Sequence, residues 1–182
     1  YYHGPGNRAT MKVESHDEFM NALRPHYDAL ARFSRLITRN TDDARDLAAE
    51  TVLTALEAYS SLQEQHAFRT WLFRIAHRLA TRHYRRQSRF ERFPETEGPD
   101  DLPASSVLPD EITDLTIIRE HLEKLPDTYR EILVLVDVVG FPLDEAASVL
   151  NLTVGGVKAR LFRARSELAR RLGVERTAPE RR

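Results

Sequence analysis

Arginine residues recur every three or four positions in the segment from Arg74 to Arg89, and aromatic residues stand between them. On a helix this spacing places the guanidinium groups in one stripe, which suits the phosphate backbone of a nucleic acid. Aromatic rings beside the stripe suit single-stranded DNA, because an unpaired base can stack on a ring. The predicted interface contains the cations Arg74, Arg78, Arg82, Arg85, Arg86 and Arg89 and the aromatics Trp71, Phe73, Tyr84, Phe90 and Phe93.

The opposite side of this predicted helix is apolar, with Leu72, Ile75 and Leu79 at helical spacing. An alternative interpretation therefore stays open, in which the arginines form a solvated face while Trp71 and Phe73 belong to the core. For Trp71 taken alone, the core is the favoured location, because large aromatic rings are mostly buried.

The segment from Leu143 to Leu161 has the spacing of a helix-turn-helix. The small residue Ala147 permits a close helix crossing, Asn151 tolerates the positive φ of a tight turn, and Val157 supplies an apolar anchor. The side of the last helix that faces away from Val157 is basic, which suits the major groove of DNA. An ordinary helical pair with a solvated basic face is the alternative. The outward-facing residues are Lys158, Ala159, Phe162, Arg163 and Arg170.

A third helix face is acidic. Asp43, Asp46 and Glu50 lie on the side away from an apolar stripe, and Glu57 continues their face two turns later. A negatively charged face repels DNA phosphates. It is therefore either a solvated surface or a docking face for a basic protein partner.

The formal net charge is only −1, but charge is sorted along the chain. Residues 69–92 hold eight arginines and one acid, residues 94–114 hold seven acids and no base, and residues 154–171 hold six bases and one acid. Two basic segments therefore flank an acidic connector. This distribution indicates nucleic-acid binding, which the net charge conceals.

Apolar residues at spacings of three and four dominate the chain, and sustained strand-like alternation is absent, so an all-α fold is predicted. The first domain, residues 16–93, contains predicted helical segments over Phe19–Leu36, Asp42–Tyr59 and Phe68–Gln87. Pro25 interrupts the first segment near its start, and the second follows a cap signal at Thr41-Asp42-Asp43. Residues 94–112 are rich in proline and acids, which predicts a flexible acidic linker.

The second domain is predicted over residues 113–173, with a short helix Leu143–Leu150, an N-cap at Thr153 and a last helix that runs to about Leu172. Residues 174–182 are expected to form a polar tail. Residues 1–15 are interpreted as a leader or a remnant of recombinant expression and are excluded from the fold. The predicted buried stripe of the last helix is Val157, Leu161, Ala164, Leu168 and Leu172.

Several functional classes are disfavoured by what the sequence contains. It has no cysteine, which excludes disulfides and thiolate metal sites within the chain. No segment approaches the roughly 18 apolar residues of a membrane span, so membrane insertion is not expected and the expected compartment is the cytoplasm. No ligand-spaced histidines, phosphate loop or nucleophile motif stands out. We therefore expect no metal, no cofactor, no small-molecule substrate, no catalytic residue and no enzymatic activity.

Four segments, in order, resemble those of extracytoplasmic-function (ECF) sigma factors of bacterial RNA polymerase. DARDLAAET at residues 43–51 resembles the family's DAEDLVQET, and FRTWLFRIA at residues 68–76 resembles FRAWLYRIA. LPDTYREIL at residues 125–133 resembles LPxxxREvlvL, and VGGVKARLFRAR at residues 154–165 resembles PvGTVKSRLxRAR. The resemblance extends from about Phe19 to Leu172, and the ordered set is highly specific.

The resemblance implies a function in transcription initiation. The first domain would be sigma region 2, which binds the β′ clamp helices of core polymerase and captures the melted −10 element. The second would be sigma region 4, a helix-turn-helix domain that reads the −35 element and contacts the β flap, and an anti-sigma factor is a further expected partner. The implied residues are Asp43, Asp46 and Glu50 for core binding; Trp71, Arg74, Arg78, Arg82, Tyr84, Arg85 and Arg86 for −10 DNA; and Lys158, Ala159, Arg160, Phe162 and Arg163 for −35 DNA.

Departures from the family pattern occur at the predicted reading positions. Many members have Asn and Asp where this chain has Arg78 and Arg82, and Thr and Ser where it has Gly156 and Ala159. The promoter sequence is therefore not predicted. Two other functions were weighed: a LuxR-type helix-turn-helix regulator that binds duplex DNA alone, and a protein-binding sigma mimic that titrates an anti-sigma factor. The basic, aromatic-rich first domain disfavours the LuxR type.

Overall fold

A computed structural model of the chain describes residues 16–62, 64–90 and 119–173. The side chains of Gln65, His83 and residues 85–90 are outside this description, as are the predicted leader, linker and tail. Within the described ranges every regular element is helical and no strand occurs. The predicted all-α fold is confirmed.

In the part of the first unit that the structure describes there are four α-helices. They are α1 (residues 16–23), α2 (Tyr27–Ile37), α3 (Thr41–Ala58) and α4 (Phe68–Phe90), with short 3₁₀ turns at Arg24–His26, Tyr59–Ser61 and Gln65–Ala67. The predicted interruption of the Phe19–Leu36 segment by Pro25 is confirmed, and it divides the segment into α1 and α2. Pro25 lies in the 3₁₀ turn between α1 and α2, because proline lacks the N–H group and the room that a helix interior requires.

The cap of α3 lies one residue earlier than the predicted Thr41-Asp42-Asp43 signal. The Asn40 side-chain oxygen accepts a hydrogen bond from the Asp43 backbone N–H at 2.7 Å, and the Asn40 amide donates to the Asp43 carboxylate at 3.0 Å. Thr41 is instead the first helical residue. The Asn40 side chain satisfies an N–H group that the helix leaves without an internal partner.

Aromatic rings from three helices fill the core of the first unit. Phe19 packs edge to face against Tyr59 and Phe68, with ring centroids 5.4 and 6.0 Å apart. Phe33 packs in the same manner against Phe73 at 5.4 Å, and both rings are fully buried. These contacts position α4 with one side in the core and the other side outward.

The second unit contains α5 (residues 119–123), α6 (Asp127–Leu133), α7 (Leu143–Leu150) and α8 (Val154–Arg171), and a π-helical turn at Val134–Val138 extends α6. Asn151 has φ 53° and ψ 50°, the left-handed conformation that the helix-turn-helix spacing predicts. The Thr153 hydroxyl accepts a hydrogen bond from the Gly156 N–H at 3.0 Å and caps α8. Both local predictions are confirmed.

The buried stripe of α8 is shorter than predicted. Val157, Leu161 and Ala164 are buried and Leu168 is partly buried, but the side chain of Leu172 is 45% exposed. The placement of Leu172 in the core is wrong, because α8 ends at Arg171 and Leu172 lies in the turn before Gly173. A residue beyond the helix end no longer follows the helical stripe.

The two units share one continuous hydrophobic core. Phe141 of the second unit is 3% exposed and packs edge to face against Phe73 of α4, with ring centroids 4.9 Å apart. Helix α7 packs against α4, and α6 with its π-helical turn packs against α2. The sequence predicts two small helical domains, and the structure places them in direct contact.

Candidate nucleic-acid interface

Helix α4 presents the predicted arginine stripe to solvent. Arg74, Arg78 and Arg82 are exposed, while Leu72 and Leu79 on the opposite side are 0% and 2% exposed. The apolar side holds the helix against the core, so the cationic side faces outward. Arg85 and Arg86 continue the same helix, and their side chains are outside the described residues.

The aromatic residues of the stripe occupy three different environments. Phe73 is fully buried, so its predicted role in stacking on bases is wrong; its ring fills the core between Phe33 and Phe141. Trp71 is partly buried and lies against Phe68, with ring centroids 5.8 Å apart. Phe90 and Phe93 are outside the described side chains.

Tyr84 faces the protein interior and holds α4 against α2. Its hydroxyl donates a hydrogen bond to the backbone carbonyl of Ile37 at 2.5 Å. Burial raises the pKa of Tyr84 well above the ordinary tyrosine value. The hydroxyl therefore stays protonated and keeps its role as a donor at neutral pH.

A groove of about 340 Å³ lies beside Trp71 and Arg74. Ser61 and Leu62, from the turn that follows α3, form part of its lining, and Ser148 of α7 also lines it. Sequence reasoning missed Ser61, Leu62 and Ser148. The polar turn before Phe68 gave no periodic signal, and Ser148 comes from the other unit of the chain.

The acidic face of α3 borders the arginine stripe of α4. Asp46 is exposed, whereas Asp43 and Glu50 are partly buried. The Asp43 carboxylate also accepts the hydrogen bond from Asn40, and the Glu50 carboxylate lies 3.7 Å from the Arg82 guanidinium. An exposed ion pair of this kind contributes at most about 1 kcal/mol. Asp46 is therefore the most accessible of the three predicted core-binding acids.

Helix α8 separates its buried and exposed sides cleanly. Val157 and Leu161 are 0% and 5% exposed, whereas Phe162 on the other side is 61% exposed. Of the other predicted reading residues, Lys158, Ala159 and Arg163 are exposed, as Phe162 is, and Arg160 is partly buried. The structure therefore brings Lys158, Ala159, Phe162 and Arg163 together on one outward surface, and Arg160 lies apart from them around the helix.

Two arginines outside this set are bound to acids of the same unit. Arg165 donates from Nε to Asp137 at 3.0 Å, which ties α8 to the π-helical turn, and the bond to Asp137 raises the pKa of Arg165. Arg170, predicted to face outward, is exposed and donates to Glu167 at 2.7 Å. These two cations therefore have local partners within the protein.

Two further features bear on the kind of site. In the part of the chain that the structure describes, no three His, Asp or Glu side chains converge in a way that could hold a metal ion. Among the same residues, no helix is both long and apolar enough to cross a lipid bilayer.

Comparison with protein families identifies both units. Residues 22–90 match the family model of sigma-70 region 2, and residues 115–168 match that of sigma-70 region 4. The arginine face of α4 thus lies in region 2, and the exposed face of α8 lies in region 4. The order of the two matches agrees with the order of the motifs in the sequence.

Individual relatives agree with these matches. The ECF RNA polymerase sigma factor EcfG of Rhodopseudomonas palustris is 35% identical over 151 residues, which cover 81% of each chain. The ECF RNA polymerase sigma factor SigW of Bacillus subtilis is 30% identical over 89% of this chain and 92% of its own. The SigM protein of Mycobacterium tuberculosis is 31% identical over 85% of this chain and 77% of its own.

Solved structures are also similar. The sigma factor RpoE in complex with the anti-sigma factor NepR from Bartonella quintana aligns with a TM-score of 0.71 and 26% identity, over 87% of this chain and 99% of that chain. CnrH in complex with the cytosolic domain of CnrY aligns with a TM-score of 0.64 and 26% identity, over 91% and 97% of the two chains.

Taken together, the matches define a transcription initiation factor that combines sigma regions 2 and 4. The chain belongs to the ECF sigma factors of the sigma-70 family. The predicted family is confirmed, and the findings favour it over the LuxR-type alternative.

Proposed function

We propose that the chain binds core RNA polymerase, directs it to promoters and favours DNA melting there, with no catalytic step of its own. The observation that carries this proposal is the pair of cationic faces, on α4 and α8, in a chain that matches regions 2 and 4 in order. Transcription takes place in the bacterial cytoplasm, which we propose as the compartment. The proposed functional units are residues 16–93, a linker at residues 94–112, and residues 113–173.

The face of α4 is the proposed −10 surface. Exposed guanidinium groups of Arg74, Arg78 and Arg82 would bind phosphates, and an unpaired base would enter the groove beside Trp71. Arg85 and Arg86 would extend the cationic face along the helix. Tyr84, predicted from the sequence to bind −10 DNA, would instead position α4 behind this surface, since its hydroxyl is bonded to the Ile37 carbonyl.

The face of α8 is the proposed −35 surface. A helix that follows the turn of a helix-turn-helix enters the major groove, and its N-terminal residues contact base edges. Arg and Lys pair with guanine, and apolar groups contact the thymine methyl. The exposed cations and the exposed ring of Phe162 fit both kinds of contact. The proposed reading residues are Lys158, Ala159, Arg160, Phe162 and Arg163.

Protein partners are proposed for the remaining surfaces. The acidic face of α3, with Asp43, Asp46 and Glu50, would bind the β′ clamp helices, and region 4 would contact the β flap. Both aligned structures are complexes, one of them with a named anti-sigma factor. We therefore propose that an anti-sigma factor also binds this chain.

Reconstitution with core polymerase on a randomised promoter library tests the function. We expect selected promoters to carry sequence constraints at both −10 and −35, because each cationic face reads one element. Binding to duplex DNA without any dependence on core polymerase would contradict the proposal and favour the LuxR-type function instead. Promoter-independent capture of an anti-sigma factor would instead indicate the sigma mimic.

The acidic face is tested by charge reversal at Asp46. Asp46→Lys should weaken co-purification with core polymerase, because the most exposed of the three acids would then repel a basic partner. Asp43 is left unchanged, since its substitution would also disturb the helix cap at Asn40. The matched control is Asp28→Lys, an exposed acid on α2. Equal core affinity of Asp46→Lys and the wild type would contradict this assignment.

A further inference from the structure

Helix α2 and the turn before it carry three arginines that belong to neither proposed DNA surface. Arg32 and Arg35 lie three positions apart on α2, Arg24 precedes them in the 3₁₀ turn, and all three are exposed. Leu30, on the opposite side of α2, is fully buried. One exposed acid, Asp28, interrupts the row. The side of α2 that faces away from the core is therefore a third cationic surface, called here the α2 face.

The arginines of the α2 face resemble the cations of the proposed DNA surfaces in their surroundings. Among the residues that the structure describes, none of the three has an acidic partner, and Arg35 donates from Nε to the Ala31 carbonyl of its own helix at 3.4 Å. Exposed arginines elsewhere do have such partners, as Arg45 has in Asp42 at 3.5 Å. Three exposed cations of α4 and α8 likewise have no acidic partner in the described ranges: Arg78, Lys158 and Arg163.

The composition of the α2 face suits a phosphate backbone better than a protein. The centre of a protein–protein interface is enriched in aromatic residues and depleted of charge. Within α2, which the structure describes completely, Tyr27 is the only exposed large apolar side chain, and it is the first residue of the helix. Arginines without an apolar centre bind phosphates through charge and hydrogen bonds, with no requirement for a particular sequence.

The last turn of α2 packs beside the C-terminal part of α4. The Tyr84 hydroxyl of α4 is bonded to the carbonyl of Ile37, which is the last residue of α2. Arg35 lies in this last turn of α2, and Arg82 lies two positions before Tyr84 on α4. DNA that leaves the arginine stripe of α4 at this end would therefore pass next to α2.

We propose that the α2 face binds the phosphate backbone of duplex DNA next to the −10 element, without reading its sequence. This inference rests on the proposed −10 function of α4. Duplex DNA carries one negative charge per about 1.7 Å of its axis. Arg32 and Arg35 lie roughly 5 Å apart along the helix axis at 1.5 Å per residue, so the two guanidinium groups can bind neighbouring phosphates.

The salt dependence of promoter binding tests the inference, because its slope reports the number of phosphate contacts. The variant is Arg32→Gln/Arg35→Gln in the full chain, assembled with core polymerase on duplex promoter DNA. We expect the slope of log affinity against log salt to fall by about 2, since each lost phosphate contact removes about 1. We expect the affinity to fall by the same factor on promoters with different −10 sequences.

Arg170→Gln/Arg171→Gln is the matched control. It also removes two exposed arginines, here from the end of α8, where both donate to Glu167 at 2.7 and 2.8 Å. We expect its slope to equal that of the wild type. Circular dichroism of both variants checks that the helix content is unchanged, so that a change in slope reports on DNA contacts.

The outcomes separate this inference from the proposed function. An unchanged slope in Arg32→Gln/Arg35→Gln would overturn the inference and leave the proposed function intact. Weaker co-purification with core polymerase at an unchanged slope would also overturn it, and would indicate that α2 docks a protein. A loss confined to particular −10 sequences would contradict binding to the backbone. If the wild type with core polymerase shows no preference for promoter DNA, the proposed function fails and the inference fails with it.

Discussion

Helices α4 and α8 share one sequence pattern but have different surroundings in the structure. Each carries cations opposite an apolar stripe. The cationic face of α8 keeps Lys158 and Arg163 exposed, whereas α4 holds region 4 through Arg69 and Arg74. Amphipathic spacing thus decides that a face points away from its own core, and it does not decide whether another part of the chain covers that face.

The largest expected effect concerns the junction between the regions. Arg130 is 2% exposed and donates to the backbone carbonyls of Leu122, Glu123 and Leu125 in region 4 and of Ile37 in region 2. Arg130→Met keeps the apolar stem but leaves these carbonyls without their donor. We expect a loss of about 3 kcal/mol in the free energy of unfolding, measured by urea denaturation.

Arg78→Met is the control for this loss, since the same change on an exposed part of α4 should alter stability by less than about 0.5 kcal/mol. Similar unfolding curves for the two variants would contradict this prediction and show that the buried hydrogen bonds of Arg130 contribute little to stability.

A smaller effect, confined to one base pair, is expected on α8. Arg163→Ala removes an exposed guanidinium that can pair with a guanine edge, so discrimination at one −35 position should fall by about 1 to 3 kcal/mol. Run-off transcription from promoters with each −35 substitution measures it at fixed salt. A uniform loss across all promoters would show that Arg163 binds phosphate and does not read a base. Arg165→Ala is the control, because its guanidinium is bonded to Asp137.

The smallest expected effect concerns the cap that positions α8. Thr153→Ala removes the oxygen that accepts the Gly156 N–H, and it should lower the free energy of unfolding by about 1 kcal/mol. Thr153→Ser retains the oxygen and should stay close to the wild type in the same thermal or urea unfolding experiment. An equal loss in both variants would mean that the methyl group, and not the hydrogen bond, stabilises this turn.

Gly156 completes this cap in a way that the family pattern does not suggest. A β-carbon at Gly156 would lie 3.2 Å from the Thr153 hydroxyl oxygen, which is closer than ordinary packing. The chain therefore combines a threonine cap with a glycine at the position where the family motif has threonine.

By itself, the sequence determined the features that depend on neighbours a few positions away. The helical periodicity, the left-handed turn at Asn151, the cap at Thr153 and the separation of Val157 from Phe162 were all predictable, because each depends on side chains within two helical turns. The order of the four family motifs likewise determined the family.

Only the tertiary structure decided which surfaces meet. The acceptors of Arg69 and Arg74 are backbone carbonyls of Val139 and Ser148, and a carbonyl has no side-chain signature that a sequence pattern can reveal. Phe73 is a second example. From the sequence, an aromatic residue beside arginines is equally suited to stacking on DNA and to packing in a core, and only the contact with the ring of Phe141 shows that it is a core residue. Contacts between residues about 70 positions apart depend on how whole helices pack, and spacing along one helix does not contain that information.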